Sequence, residues 1–244
     1  MKTVRVRVAL LFVVLVALAS CGREEYRESA PKQEEAAAQA EKVSAVRQAY
    51  PKLSSNVVFE NDRVVAQRVQ GEPGVWSGEH AHPGGQLVVV LEGATLTYRE
   101  GGEEESRTFA SGELFSIEPT ASHDHAVTSD SAIDFVLISM AAHEGGTGAA
   151  QKYPNQAADV VLENDQVIVQ RVMAEPGKSS GEHSHSGSQL AVVLEGAPLA
   201  YREGGEEKVV AYESGNVYWV DKTAAHDHVV KGDKAWDGYV ITLK

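Results

Sequence analysis

The clearest order in the chain is a rhythm of short apolar runs cut by Gly, Pro, Asp and Asn. Arg63–Val69, Gln86–Leu91, Ala94–Arg99, Glu113–Ile117 and Ile133–Met140 are rich in Val, Ile, Leu and Tyr, residues that suit a half-buried pleated surface. Breaks every several residues predict short β-strands. Glu100-Gly101-Gly102 predicts a hairpin turn, since glycine takes positive φ without steric cost. No stretch in this region keeps a helical apolar period. Short strands at this spacing point to an all-β sandwich or jelly roll.

The same rhythm occurs twice. Val57-Val58-Phe59-Glu60-Asn61-Asp62 returns as Val160-Val161-Leu162-Glu163-Asn164-Asp165, and Val89-Val90-Leu91-Glu92-Gly93-Ala94 returns as Val192-Val193-Leu194-Glu195-Gly196-Ala197. Tyr98-Arg99-Glu100-Gly101-Gly102-Glu103-Glu104 returns from Tyr201 onward. Each match lies 103 residues on, with no gap. The two copies are therefore expected to superimpose, each forming one small barrel, and the glycine-rich join around Glu144–Gly148 reads as a loop.

The N-terminus breaks the rhythm. Lys2, Arg5 and Arg7 precede an apolar run, Val8 to Leu18, that is short for a membrane span and fits an export signal. It ends in Leu18-Ala19-Ser20-Cys21, and Cys21 is the single cysteine of the chain. This stretch resembles the bacterial lipobox, which implies lipidation of Cys21 and anchoring in the cell envelope facing the periplasm. Gly22 follows; without an aspartate there, the resemblance favours the outer membrane. Residues from Gly22 to about Tyr50 are rich in Glu, Ala, Gln and Lys, good helix formers with little apolar surface, and read as a partly helical tether that Pro51 stops. The expected organisation is a leader at 1–20, a lipidated cysteine and tether at 21–52, one copy at 53–143, a join at 144–156 and the second copy at 157–244. The formal charge is −13, with 35 acidic against 22 basic residues. Like charges repel, so nucleic acid is not an expected partner.

Eight of the nine histidines follow the repeat: His80, His82, His123 and His125, then His183, His185, His226 and His228. The copies have diverged at about half of the surrounding positions, so retention of all four pairs points to a shared task. Residues i and i+2 of a strand face one way, roughly 6.6 Å apart. Two imidazoles so placed can converge on one cation, with a third from the later His-x-His. Glu79, Glu182, Asp124 and Asp227 should face away by alternation and are read as structural. His143 lacks a counterpart and is expected to be exposed.

Gly74, His80, His82, Gln86 and Gly93 resemble the first motif of the cupin superfamily: a glycine, His-x-His, a glutamate and a glycine at fixed spacing. Gly177, His183, His185, Gln189 and Gly196 repeat it, and Gly112 to His123 and Gly215 to His226 resemble the second motif. The resemblance covers about Val57 to the end of the chain, twice. It implies two tandem cupin jelly-roll barrels (double-stranded β-helices), each holding a divalent transition metal (iron, manganese, zinc or nickel). His80, His82 and His123 would be ligands in one, and His183, His185 and His226 in the other. Two features depart from the motif. Gln86 and Gln189 stand where the glutamate is usual; each could ligate through its oxygen or merely cap a loop. His125 and His228 stand where an apolar residue is usual; each could be a further ligand, a hydrogen-bond donor to the site, or the proton-transfer group of catalysis.

Two classes of function follow. One is a metal-dependent oxidoreductase, of dioxygenase type, acting on a small organic molecule. The other is a non-catalytic envelope module that holds metal or a small ligand; a weaker third reading has the metal only staple the barrels. Fold alone does not decide between them. The copies also differ along expected walls: Trp76 becomes Ser179, and Phe115–Pro119 becomes Tyr218–Lys222. Since two barrels in one chain can pack as a dimer would, a monomer is expected.

Overall fold

A computed structural model describes residues 47–82, 85–141 and 148–244. The leader, Cys21, most of the tether, Pro83, Gly84, His143 and the start of the join, 144–147, lie outside the described residues. Those described form sixteen strands and no helix. The first copy holds β1 (Ser54–Glu60), β2 (Val64–Gly71), β3 (Gln86–Glu92), β4 (Thr95–Glu100), β5 (Glu103–Thr108), β6 (Leu114–Ile117), β7 (Asp124–Val127) and β8 (Ile133–Met140). The second holds β9 (Ala157–Glu163), β10 (Val167–Ala174), β11 (Gln189–Glu195), β12 (Pro198–Glu203), β13 (Glu206–Ala211), β14 (Val217–Val220), β15 (His226–Val230) and β16 (Trp236–Leu243).

Each copy is two antiparallel sheets packed as one jelly-roll barrel. The larger has order β1-β2-β8-β3-β6 and the smaller β5-β4-β7; the second copy repeats both as β9-β10-β16-β11-β14 and β13-β12-β15. Gly101 and Gly102 take φ of 58° and 88°, and Gly204 and Gly205 take 59° and 88°. The expected hairpin turn is therefore present in both copies, joining β4 to β5 and β12 to β13. Strand β5 reads Glu103-Glu104-Glu105-Ser106-Arg107-Thr108 and is exposed throughout. It carries no apolar alternation, and its pairing with β4 is what makes it a strand.

The central strands of the larger sheet, β2, β8 and β3, are buried on both faces, because alternate residues serve two cores. Val88, Val90, Phe135 and Leu137 point into the first barrel with Leu96 and Phe109. Leu87, Val89, Val136 and Ile138 point out of it, into a core shared with Val167, Val169, Leu190, Val192 and Ile241 of the other copy. The near-continuous apolar reading of β3 and β8 follows from this. Phe59 stacks on Trp219 at 5.3 Å across the same junction. Tyr239 donates its hydroxyl to the Gly112 carbonyl at 2.8 Å, and Arg63 donates to the Lys244 carbonyl at 2.8 Å.

A segment ahead of each first strand is bound to its barrel. The Gln48 amide donates to Gln67 Oε1 at 2.8 Å, and Gln67 Nε2 donates back to the Gln48 carbonyl at 2.8 Å. Gln151 and Gln170 make the same exchange in the second copy. The segments Gln48–Pro51 and Gln151–Pro154 read Gln-Ala-Tyr-Pro and Gln-Lys-Tyr-Pro, and each brings its tyrosine onto the histidine cluster described next.

Candidate metal centre

Motif one meets motif two at an isolated bridge. His80 and His123 exchange both backbone hydrogen bonds, each 2.9 Å, and His183 and His226 do the same at 2.9 and 2.8 Å. This antiparallel pairing sets the two motifs face to face. The run from Gly78 to His82 is otherwise loop, so alternation along a regular strand does not place His82. His125 lies on β7, paired with Tyr98 of β4. Ring centroids in the first barrel stand 4.5 Å apart for His80 and His123, 5.3 Å for His80 and His82, and 5.1 Å for His80 and His125. In the second, His183 stands 4.3 Å from His226 and 5.4 Å from His185.

The imidazoles are oriented from behind. His80 donates from Nδ1 to the Gly78 carbonyl at 2.8 Å, and His183 to the Gly181 carbonyl at 2.8 Å. His123 and His226 donate likewise to the carbonyls of Ala121 and Ala224, at 3.2 and 3.0 Å. A carbonyl only accepts, so the proton is on Nδ1 and the Nε2 lone pair is free. For His80 and His183 that Nε2 is buried with no hydrogen-bond partner. A buried, unpartnered lone pair is costly unless something binds it. Such orphaned nitrogens, held by neighbouring carbonyls, fit a divalent transition metal.

The two clusters differ in which donors converge. In the first barrel, donor atoms of His80, His123 and His125 lie within 4.8 Å of one another; in the second, those of His183, His185 and His226 do. The cause is local. His82 donates from Nδ1 to Gln86 Oε1 through a short contact, and Gln86 Nε2 donates to Ser139 Oγ at 2.7 Å. Gln189 Nε2 likewise donates to Thr242 Oγ1 at 3.1 Å, but His185 Nδ1 is buried without a partner. His228 faces Gln156 Oε1 at 3.2 Å through Nε2, whereas the position equivalent to Gln156 is Leu53. His125 thus lacks the amide that engages His228.

Burial favours the neutral form of six of these rings. Desolvation, with repulsion among the neighbouring histidines, pulls His125 down to about 3 and His185 to about 3, and desolvation pulls His82 and His228 to about 4. His80 and His183 are lowered by the same cause. Tyr50 packs edge-on against His80 at 4.8 Å and His125 at 6.1 Å, and Tyr153 packs against His183 at 4.8 Å and His228 at 5.9 Å. Burial raises both phenols well above the usual tyrosine range. These tyrosines recur 103 residues apart like the histidines, which is the signal that could have marked them. Behind the rings, Ser77 donates to Asp124 Oδ1 at 2.8 Å and Ser180 donates to Asp227 Oδ1 at 2.9 Å.

The barrels also differ in free space. A cavity of about 460 Å³ in the first is lined by His82, His123, His125 and a wall of Phe109, Phe115 and Phe135, with the exposed Glu100, Glu105, Arg107 and Glu118 at its mouth. Its counterpart beside His185, His226 and His228 measures about 80 Å³. Trp76 does not line the first cavity; it carries the Arg99 guanidinium 3.9 Å over its ring.

The cupin domain family matches the chain at residues 67–139 and again at 170–241. No curated protein matches its sequence. Among solved structures it is similar to AerE from Microcystis aeruginosa, with a TM-score of 0.60 at 13% identity, over 81% of this chain and 96% of that one. It is also similar to oxalate decarboxylase from Bacillus subtilis, described by its Mn(II) centres, with a TM-score of 0.56 at 13% identity over 82% and 75%. Vicilin from hazelnut, Corylus avellana, gives 0.54 at 12% identity over 81% and 82%. Identities this low speak to the fold alone, but the family match takes in both barrels with their histidine clusters, and the chain belongs to the cupin family as a bicupin.

Proposed function

We propose that this bicupin binds a divalent transition metal in each barrel and acts as a metal-dependent oxidoreductase, of dioxygenase type, on a small organic molecule. The observation that carries the reading is the pair of buried, unpartnered nitrogens, His80 Nε2 and His183 Nε2, each in a ring fixed by a backbone carbonyl. In the first barrel His80, His123 and His125 would hold the ion, with His82 beside them bonded to Gln86; in the second, His183, His185 and His226. Ligation is thus the role favoured for His125, and a positioning role for Gln86, Gln189 and His228. When bound, such an ion supplies Lewis-acid or redox chemistry at its open positions. Neutral imidazoles leave its charge uncompensated, which favours an anionic oxygen as the next ligand. The Mn(II) centres described for Bacillus subtilis oxalate decarboxylase agree with a divalent ion of this kind, without fixing which.

We further propose that lipidation at Cys21 holds the chain on the envelope, facing the periplasm, as a monomer. The support is the leader and unique cysteine; acyl chains bind a bilayer by about 0.8 kcal/mol per buried CH₂. Elemental analysis of the full chain without an affinity tag tests the metal reading. Two ions per chain are expected, and one after His80→Ala or His183→Ala; a content that neither substitution lowers would remove it. Membrane fractionation tests the anchor: Cys21→Ser is expected to release the protein.

A further inference from the structure

The two barrels keep the same histidines but not the same room, and the difference traces to two positions. Trp236 stands where the first barrel has Ile133, and Gly238 stands where it has Phe135. The Trp236 ring lies over Gly238, so closely that a Cβ there would meet it at 2.9 Å. The indole, buried with Tyr212 at a centroid distance of 6.5 Å, fills the second barrel. The remaining space, about 80 Å³, is far below that of a small-molecule site. In the first barrel the smaller Ile133 and the withdrawn wall of Phe109, Phe115 and Phe135 leave about 460 Å³, within the roughly 300–1,000 Å³ of small-molecule sites.

We propose that the barrels have divided the work. The N-terminal barrel takes one small, flat, largely apolar molecule, an aromatic ring bearing an oxygen donor turned to His123 and His125. The C-terminal barrel keeps a metal site that admits water alone. This deepens the metal reading above and rests on it for the donor end of the ligand. Three phenylalanines favour a ring by offset stacking. The mouth sets three carboxylates, Glu100, Glu105 and Glu118, against one cation, Arg107, and this negative balance disfavours a multiply charged anion. The histidine site takes the single oxygen.

The test titrates the full chain, metal-free and zinc-loaded, with 4-fluorobenzoate and 4-fluorophenol, followed by fluorine NMR. One equivalent of probe per chain is expected. Trp236→Ala should add a second equivalent, and Ile133→Trp with Phe135→Gly should abolish the first. Metal content is measured on the same samples, so failure of the metal reading appears as absent zinc, separately from probe stoichiometry. Two equivalents in the wild type, binding that survives closure of the first barrel, or no binding of either probe would overturn the proposal. Should the closed variant not fold, nuclear Overhauser contacts of the probe in the wild type decide. Contacts to Phe109 and Phe115 support the proposal, and contacts to Tyr212 and Trp236 sink it.

Discussion

At the scale of single residues, the site rests on buried polar groups that have no spare partners. Ser77 is fully buried; its hydroxyl donates to Asp124 and accepts the His125 amide at 3.1 Å. Ser77→Ala leaves that amide and that carboxylate unserved, a loss of about 1–3 kcal/mol. Ser180→Ala should cost less, because Asp227 keeps a second hydroxyl donor, Ser179 at 2.7 Å, where the first barrel has Trp76. Urea unfolding of the two variants checks the order, and equal losses would count against it. The imidazoles set the pH response. An ordinary histidine titrates near 6.5, whereas in the folded chain His82 and His228 stand at about 4, and His125 and His185 at about 3. Between those values the unfolded chain binds more protons, so stability rises with pH. It is complete above about 6.5 and is lost as pH falls toward about 4, by about 1.4 kcal/mol per pH unit for each such group. Metal-free protein should therefore show a urea midpoint that drops steadily from about pH 7 to about pH 5. A flat profile would mean that these rings are already exposed.

At the scale of elements, the segment Gln48–Pro51 behaves as a strap across the first site. Gln67 ties it down, Tyr50 lies on His80 and His125, and Pro51 covers Gly78. Gly78 has φ +81°, and a Cβ there would meet Pro51 at 2.9 Å; Gly74 has φ +76° with nothing within 4 Å. Gly74→Ala should cost only the left-handed backbone penalty, about 1–2 kcal/mol. Gly78→Ala carries that penalty and also lifts the strap from the carbonyl that orients His80. It should cost clearly more and lower metal occupancy in the first barrel alone, as read by elemental analysis in the His183→Ala background. Equal effects of the two substitutions would refute the strap. Five strands were legible in the apolar rhythm, each within two residues of its observed bounds, because alternate side chains enter a core, two cores for those of the larger sheet and one for β4. Strand β5 was not, since pairing with β4 alone defines it. The strap escaped notice because its helix-forming neighbours and Pro51 read as the end of a tether. The histidine set was plain in the repeat, but which three converge was not, because both copies keep all four and differ in contacts between segments far apart in sequence, such as Gln156 on His228. The filled second barrel was equally hidden, since it needs Trp236 and Gly238 together.

At the scale of the whole molecule, the outward faces of the two larger sheets make one core. Leu87, Val89, Val136 and Ile138 meet Val167, Val169, Leu190, Val192 and Ile241 there, all nearly or fully buried. Parted, each barrel would present that apolar face to water, where patches beyond a few hundred Å² are rare in soluble monomers. The chain therefore satisfies within itself the pairing that a single barrel would seek in a second copy, and the proposal of a monomer rests on this. Shared burial also couples stability: neither barrel can unfold without exposing the other's face. Ile138→Ala removes buried methylenes from this junction and should cost about 2–5 kcal/mol. Because the junction belongs to both barrels, calorimetry of wild type and variant should each give one transition, shifted as a whole. Removing metal from one site by His183→Ala should lower that same transition and not split it, since ligand binding to the folded state stabilises everything that unfolds with the site. Two transitions, with one unmoved by either substitution, would show the barrels to be independent. The common core would then be a contact between two folded domains and not part of a single cooperative unit.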